Sequence, residues 1–344
     1  MSVEVRQAGP ADRAAWDAFV HAQGEVFHLW GWGAAVGEAL RQSPLNLIAE
    51  ADGEIVGVLP LTDKRSGLFG DALIGNGFAV GAGIAASSPE AAEALAEAAQ
   101  REGLRRRSAY VELRGGPLPD GWVVKDDAYA SFSREIEADE DLRLKAIPRK
   151  KRADIRKAID AAGAGRLSAS TTDDVTGFWS RYARAQRDHG TPVLPRRLLE
   201  ALRQELGEIV EIAEVHGENG PLAGVFSLYH GGIVHLYHAY VGEAARGTHA
   251  GDYLYWWMMG QGLSRGARLW DLGRSKPGTG SYAYKTFWGL TPEPLRYGYR
   301  LLTASEVPNV NPQNPKFRLL TEGWRRLPLS VADRLGPVLY RHLG

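Results

Sequence analysis

The feature that most constrains the fold is an internal repeat of one α/β unit. Residues 48–60, IAEADGEIVGVLP, and residues 212–228, IAEVHGENGPLAGVFSL, both read as two strands joined by a polar turn. Because the segments that follow keep the same order, the pattern indicates a duplication rather than a short-period solenoid. After the hairpin we predict in each copy a second strand pair or ladder, then a helix, then a short apolar strand. These lie at 71–81, 89–103 and 110–113 in the first copy and at 233–241, 252–266 and 269–272 in the second.

The segment between the two copies marks a domain boundary. It is acidic over residues 135–141 and then basic over residues 143–157, RLKAIPRKKRADIRK, which contains eight cations and one acid. Such a charge reversal belongs on the surface, and a helix is expected to begin after Pro148. We predict a first domain at 1–140, a second domain at 141–305 with the active site, and a C-terminal segment at 306–344. A further helix is predicted at 175–186, capped by Thr171 or Thr172.

Composition restricts the function classes. Lys+Arg and Asp+Glu both number 41, and the net charge of zero argues against a dedicated nucleic-acid-binding protein. The absence of cysteine excludes disulfides, thiolate metal sites and cysteine nucleophiles. Nothing has the spacing of metal ligands, so we expect no metal. The N-terminus lacks an apolar signal core and no apolar run is long enough to span a bilayer, so we expect a cytoplasmic protein.

The C-terminal tail combines positive charge with apolar side chains. Residues 315–344 contain six cations and two acids, interleaved with leucine and aromatic residues. A basic amphipathic segment of this kind is able to lie on an anionic membrane, which would make the protein peripheral on the inner membrane. The alternative, which we favour, is a C-terminal helix packed on its own domain and interrupted by Pro328 and Pro337.

The most specific motif is at residues 271–289, DLGRSKPGTGSYAYKTFWG, where an apolar strand leads into a predicted loop with four glycines and three cations. The order hairpin, strand, loop, helix, strand resembles the GNAT acyltransferase fold, here in tandem. The motif itself resembles the FemAB-like proteins found with bacterial PEP-CTERM/exosortase envelope systems. The resemblance implies an α/β (α+β) fold of two tandem GNAT-like (acyl-CoA N-acyltransferase) domains, each a mixed twisted sheet flanked by helices. It also implies amide formation on envelope precursors, with an activated acyl donor held between splayed strands.

Amide formation requires a neutral amine, a carbonyl within attack distance and positive charge where the oxyanion develops. The pair Tyr284-Lys285 matches the aromatic–lysine pair of the family, and the resemblance implies that this lysine stabilises the transition state. Asp271, at the end of its strand, is a candidate acceptor of the amine proton. Glu112 occupies the matching place in the first copy, and this symmetry slightly favours a structural role for both acids.

A histidine is the second candidate for the base. His235 and His238 lie on one strand and project to opposite faces, and either is able to act, although a core role is the default for both. We select His238. The candidate catalytic residues are therefore Lys285, Asp271, His238 and Tyr284.

Donor binding is expected at the start of the second-copy helix. There Arg246-Gly247-Thr248-His249-Ala250-Gly251 offers backbone N–H groups to a pyrophosphate, with His249 where the family has a glycine. The first copy has Gly81-Ala82-Gly83 without an arginine, so we expect it to be structural or to hold the acceptor. Arg274 and Lys276 suit a phosphate or carboxylate, or else a surface salt bridge. The candidate binding residues are Arg246, Gly247, Gly251, Arg274, Ser275, Lys276, Tyr282, Trp288 and Trp30.

Three functions remain open. The first is an N-acyltransferase that joins an acyl thioester, such as acyl-CoA, to an amine of an envelope lipid or glycan precursor, for which a sphingoid base is one candidate. The second is an aminoacyl-tRNA-dependent transferase whose basic run at 143–157 docks the tRNA. The third is a non-catalytic envelope assembly factor. We favour the first, with no permanently bound cofactor and the acyl donor as co-substrate.

Overall fold

The structure is a computed structural model that describes residues 2–67, 70–307 and 321–342. Its strands are β1 (Glu4–Gln7), β2 (Ser43–Ala51), β3 (Glu54–Lys64), β4 (Ala72–Gly75), β5 (Ala85–Ala86), β6 (Tyr110–Arg114), β7 (Val123–Lys125), β8 (Ala130–Ser131), β9 (Ser133–Glu135), β10 (Ser168–Thr172), β11 (Val210–Gly217), β12 (Gly220–His230), β13 (Ile233–Val241), β14 (Leu269–Asp271), β15 (Glu293–Pro294) and β16 (Tyr297–Leu301). Its helices are α1 (Arg13–Gln23), α2 (Trp30–Leu40), α3 (Pro89–Arg105), α4 (Glu140–Lys145), α5 (Arg149–Gly163), α6 (Val175–His189), α7 (Arg196–Leu206), α8 (Ala250–Ser264), α9 (Gly280–Phe287) and α10 (Leu329–Tyr340).

Two mixed sheets confirm the predicted fold class and repeat. The first sheet has the strand order β1-β2-β3-β4-β6-β16-β7, with β5 paired to β3, and the second has the order β10-β11-β12-β13-β14-β9. The hairpin β2–β3 corresponds to β11–β12, and each hairpin is followed by a strand that pairs in parallel with the last strand of its unit. The crossover helices, α3 and α8, lie where the repeat predicts them.

The two sheets exchange short strands. β16 follows the second unit in the chain but pairs with β6 and β7 of the first sheet. β9 precedes the second unit and pairs with β14. The boundaries at 140 and 305 remain a prediction, and the pairing shows that the strands on either side of them do not stay within one half of the chain.

Each sheet opens into a fork beyond its parallel strand pair. In the second sheet, β13 and β14 pair through three positions, ending with His235 beside Asp271. β14 stops there, while β13 continues along β12 to Val241, with a bulge at Tyr237. The first sheet has the same register, in which Ile74 lies beside Glu112. Two equivalent forks therefore exist, and only the second has a histidine at this position.

The fork of the first sheet is filled by its own chain. The loop after β4 turns back so that the backbone N–H of Ala82 donates to the carbonyl of Arg114, at 3.0 Å. The Arg114 guanidinium donates to the carbonyl of Ala79 at 3.1 Å. The backbone is so close that a Cβ at Gly83 would lie 1.8 Å from the carbonyl oxygen of Gly115. This filling leaves the second fork as the one able to admit a substrate.

A shared hydrophobic core joins the two halves. Trp16 and Trp32, on α1 and α2, belong to the same buried cluster as Leu202 on α7 and Phe226 on β12. Four such side chains, none of them measurably exposed, bury a large apolar area between the two units. The halves are thus held together by a continuous core and by strand exchange.

Two local predictions need correction. The motif at 271–289 is not a loop throughout, because residues 280–287 form α9. Thr279 caps this helix, and its hydroxyl accepts a hydrogen bond from the backbone N–H of Tyr282. The predicted helix at 175–186 is observed as α6, but its cap is Asp174, whose carboxylate accepts from the N–H of Gly177. In both cases a side chain next to the helix start satisfies N–H groups that have no helical partner.

The C-terminal helix α10 packs on the body of the protein. Its Gly336 approaches Val193, and its Tyr340 stacks on Phe78 with ring centroids 4.8 Å apart. The predicted tail residues at 315–320 lie outside the described residues. Of the helices that the structure describes, none is long and apolar enough to cross a membrane.

Candidate active site

A pocket of about 310 Å³ lies at the fork of the second sheet, and we call it the fork pocket. The first half contributes Phe27, Phe78 and Val80 to its wall, and α10 contributes Tyr340. The second half contributes the middle of β13 and the segment that starts at the last residue of β14, namely His235, Leu236, Tyr237, His238, Asp271, Leu272, Gly273 and Arg274. The two halves therefore form one largely aromatic cavity with four polar side chains of the second half in its wall.

His235 and Asp271 form a hydrogen-bonded pair in this wall. The Nδ1 of His235 lies 2.7 Å from Oδ2 of Asp271. The other carboxylate oxygen, Oδ1, accepts from the N–H of Gly273 at 2.7 Å, which fixes the carboxylate. Gly273 has a φ of 65°, a value that suits glycine. Because Nδ1 carries the proton toward Asp271, Nε2 of His235 keeps its lone pair and no described residue bonds to it.

The first sheet provides an internal comparison. Glu112 occupies the position of Asp271, but it accepts from the Arg114 guanidinium at 2.7 Å and is buried in an ion pair. The position of His235 is taken by the apolar Ile74. The expected structural role therefore fits Glu112, whereas Asp271 has a titratable partner that faces a cavity.

His238, the predicted base, also lines the fork pocket but is poorly suited to proton transfer. Its Nδ1 contacts the hydroxyl of Tyr182 at 3.1 Å, and no hydrogen-bond partner for its buried Nε2 is found among the described residues. Burial and the nearby guanidinium of Arg274 lower the pKa of His238 to about 3. A group with so low a pKa holds a proton weakly at neutral pH, which disfavours His238 as the base. The imidazole of His235 is oriented by its hydrogen bond to Asp271 and is the better placed of the two.

Arg274 brings positive charge to the pocket wall. Its guanidinium lies 4.6 Å from the ring centre of Tyr129 and donates to the Tyr297 hydroxyl at 2.9 Å. That hydroxyl donates onward to the carbonyl of Val80 at 3.0 Å. None of the carboxylates in the described ranges forms a salt bridge with Arg274, so its charge is available to an anionic ligand or a developing oxyanion.

Lys285 lies behind the wall of the pocket rather than in it. It is 8% exposed, and its ammonium donates to the carbonyls of Gly273 and Arg274 at 3.0 and 3.1 Å. Burial lowers the pKa of Lys285 to about 8, and the nearby Asp271 opposes this shift. The ammonium therefore holds the backbone that carries Arg274, whereas the family resemblance implies direct contact with the transition state.

Tyr284 belongs to a buried ion pair at the start of α8. Its hydroxyl donates to the Asp252 carboxylate at 3.0 Å, and the Lys151 ammonium donates to the same oxygen. Burial raises the pKa of the Tyr284 hydroxyl far above its ordinary value. The N-terminus of α8, where the resemblance places a pyrophosphate, thus already has a carboxylate of its own.

The predicted phosphate loop has two different parts. The Arg246 side chain is 84% exposed and reaches Glu243 only at 3.9 Å, so it is a solvated cation at the rim of this loop. Gly247 has a φ of 79°, and a Cβ on Gly251 would lie 3.0 Å from Val241.

Three side chains at the start of α8 are close enough to hold a metal ion, namely Asp154, His249 and Asp252. The Lys151 ammonium bonds to the Asp252 carboxylate, and its positive charge disfavours a metal ion there.

The remaining predicted residues lie outside the pocket wall. Ser275 is buried and pairs through its backbone with Ala130, and Lys276 lies 5.0 Å from the ring centre of Tyr129. Tyr282 packs edge-on against Phe132, and Trp288 packs in a buried cluster with Trp270. Trp30 contacts Trp16. These positions stay predictions as binding residues, and their observed contacts are structural.

Several wall residues were not among the predicted site residues. Phe27 lies three residues before the predicted Trp30, and Tyr340 lies in the amphipathic tail. The feature that identifies His235 is its position beside Asp271, because the parallel pairing of β13 and β14 ends at these two residues. That signal becomes usable only once the neighbouring strands and their register are known.

Comparison with known protein families identifies the class of enzyme to which the second half of the chain corresponds. Residues 149–286 match the family model described as an acetyltransferase (GNAT) domain. This range contains β13, α8, β14 and most of α9, and therefore the second-half wall of the fork pocket. The second half of the protein therefore contains an acetyltransferase (GNAT) domain, and the protein is an acyltransferase.

Solved structures share the complete architecture at low sequence identity. FemX matches with a TM-score of 0.70 at 14% identity, over 92% of this chain and 100% of that chain. A tandem GNAT protein from the clavulanic acid biosynthesis pathway matches with a TM-score of 0.55 at 12% identity, over 89% and 100%. L-PGS from Bacillus licheniformis matches with a TM-score of 0.54 at 11% identity, over 94% and 99%. At these identities the likeness shows the tandem GNAT fold alone, and no curated protein matches in sequence.

Proposed function

We propose that the protein forms an amide bond between the acyl group of a thioester donor, such as acyl-CoA, and an amine of a bacterial envelope lipid or glycan precursor. A sphingoid base is one candidate acceptor, and association with an exosortase system remains a prediction from the motif. The observation that carries the proposal is the His235–Asp271 pair at the open fork of a GNAT sheet. Acyl transfer to an amine requires an acceptor for the amine proton, and the equivalent histidine–carboxylate pair is absent from the filled fork.

The pair supplies the proton acceptor. The acceptor nitrogen attacks the thioester carbonyl, the N–C bond forms, and the amine proton passes to Nε2 of His235. Asp271 stabilises the imidazolium that results, because its Oδ2 lies 2.7 Å from Nδ1. The C–S bond then breaks, and the sulfur takes this proton back from the His235 imidazolium and leaves as the free thiol. This assignment follows the general rule that an oriented imidazole accepts protons near neutral pH.

Arg274 is placed to stabilise negative charge in the same cavity. Its guanidinium is held by Tyr297 and Tyr129 and lacks a carboxylate partner among the described residues. Positive charge that is already oriented lowers the energy of a developing oxyanion without reorganisation. Lys285 is then a positioning residue, because it anchors the backbone of Gly273 and Arg274.

The donor is proposed as a thioester rather than aminoacyl-tRNA. Of the eight cations in residues 143–157, Lys151 pairs with Asp252, while Arg143 and Arg152 donate to backbone carbonyls. Five exposed cations remain for a polyanion, which is a small footprint for tRNA. The carboxylate at the start of α8 opposes a pyrophosphate at that point, so the donor's phosphates are expected toward the exposed Arg246.

The test is a reconstitution of amide formation. Purified protein is incubated with acyl-CoA or with charged tRNA, together with long-chain amino alcohols or amino sugars, and products are followed by mass spectrometry. We expect amide with acyl-CoA and a loss of turnover of roughly 10²–10⁴-fold in His235→Gln and Asp271→Asn. His216→Gln, on β11 and outside the fork pocket, is the matched control and should keep full turnover.

Two results would contradict the proposal. Amide formed only with charged tRNA would replace the thioester donor with an aminoacyl donor. Full turnover of His235→Gln, with the fold checked by circular dichroism, would remove the imidazole from the mechanism.

A further inference from the structure

The C-terminal helix α10 presents an exposed apolar stripe. Val331, Leu335, Val338 and Leu339 are 37%, 46%, 50% and 37% exposed. Their spacing of four, three and one places them on one face of the helix, about 100° wide at 3.6 residues per turn. The adjacent face, which turns toward the protein, contains the buried Ala332 and Gly336. A contiguous set of exposed aliphatic side chains on one helix marks a contact surface.

Positive charge flanks this stripe. Arg334 and Arg341 are exposed, and the helical spacing places both on one side of it. Asp333, by contrast, is only partly exposed and lies on the far side of the helix, where burial raises the pKa of its carboxyl. The stripe thus combines apolar side chains with cations, as surfaces that bind anionic bilayers do.

We propose that the apolar stripe of α10 is the surface by which the protein lies on an anionic bilayer. The occupant is a lipid surface rather than a second copy of the chain. A symmetric dimer would bring the same patch of two copies together and place arginines near arginines, which is unfavourable. A negatively charged lipid surface is complementary to the same arrangement.

The position of the fork pocket next to α10 bears on the kind of acceptor. Tyr340, on the inner side of α10, lines the pocket and stacks on Phe78. Since an α-helix is about 10–12 Å across, a bilayer on the outer face would lie about one helix diameter from the pocket wall. Resting on the proposed function, we infer that the acceptor is a membrane-resident amphiphile whose amine enters from the lipid surface.

The experiment is vesicle flotation with the full-length protein. Vesicles of phosphatidylcholine with about one third phosphatidylglycerol are compared with vesicles of phosphatidylcholine alone. We expect binding to the anionic vesicles, weakened by salt, and a tenfold or greater loss in Leu335→Ser/Val338→Ser. Arg334→Gln/Arg341→Gln should lose the preference for anionic lipid. Leu104→Ser is the matched control, because Leu104 is 56% exposed on α3 of the first half, and it should bind like the wild type.

Flotation measures vesicle binding and does not depend on turnover. A negative result for the membrane surface can therefore be distinguished from a negative result for the proposed reaction. Absence of wild-type binding to anionic vesicles overturns the surface, and so does equal binding by Leu335→Ser/Val338→Ser. A wild-type dimer that becomes monomeric in this variant, seen by size-exclusion chromatography, assigns the stripe to a second copy instead.

The acceptor is tested with the Leu335→Ser/Val338→Ser variant. This variant should keep turnover on a short soluble amine and lose it on the same amine anchored in vesicles. Equal turnover on both would overturn the membrane-resident acceptor.

Discussion

At the scale of single residues, the buried Lys285 links stability to pH. Burial lowers the pKa of its ammonium from 10.5 in the unfolded chain to about 8 in the folded chain. Between these values the unfolded state binds more protons, so the free energy of unfolding should rise as the pH increases from 8 to 10.5. We expect wild type to gain at most about 3 kcal/mol relative to Lys285→Met over this interval, measured by urea denaturation.

Turnover of the Lys285→Met variant tests whether this lysine positions the pocket wall in addition to its effect on stability. Lys285→Met should lower turnover about tenfold or more at a temperature where the variant is fully folded, because the backbone of Gly273 and Arg274 loses its anchor. Lys150→Met, at an exposed position on α5, is the control for removing one lysine. Wild-type turnover in Lys285→Met would leave this lysine with a structural role alone.

At the scale of elements, α9 links a helix cap to the wall of the fork pocket through the side chain of Lys285. Thr279 accepts from the N–H of Tyr282, and α9 carries Tyr284 and Lys285. Thr279→Ala should cost about 1 kcal/mol of stability and also reduce turnover, because fraying of an eight-residue helix displaces both side chains. Ser88→Ala removes the equivalent cap of α3, whose Ala91 N–H lies 3.2 Å from the Ser88 hydroxyl.

The two cap variants form a matched pair. Thermal denaturation should show similar losses of stability, whereas steady-state kinetics should show lower turnover only for Thr279→Ala. Equal turnover in both would mean that α9 does not position the pocket wall.

At the scale of the whole molecule, strand exchange and the shared core make the halves interdependent. A fragment of residues 1–140 would lack β16, which lies between β6 and β7, and would expose Trp16 and Trp32. We therefore expect fragments 1–140 and 141–344 not to fold separately and to regain native circular dichroism when mixed. Cooperative urea unfolding of fragment 1–140 alone, with the midpoint of the intact chain, would contradict this expectation.

The predictable part of the fold follows from local pattern. The hairpins, the crossover helices α3 and α8, and the helix after Pro148 were expected from periodicity and are observed close to the expected bounds. The helix at 280–287 was missed because four glycines within 271–289 favour a loop, whereas Thr279 and the packing of Tyr282 on Phe132 stabilise a short helix. Local composition alone does not weigh such tertiary contacts.

The sequence by itself determined the duplication, the α/β class and the stretch in which the chemistry is concentrated, because these depend on residue order and on periodic burial. Tertiary structure decided which of two equivalent forks is open, and it placed the imidazole of His235, rather than that of His238, beside the carboxylate of Asp271. It also turned the Lys285 ammonium toward backbone carbonyls. These outcomes depend on strand neighbours and on contacts between residues far apart in the chain, which no local pattern specifies.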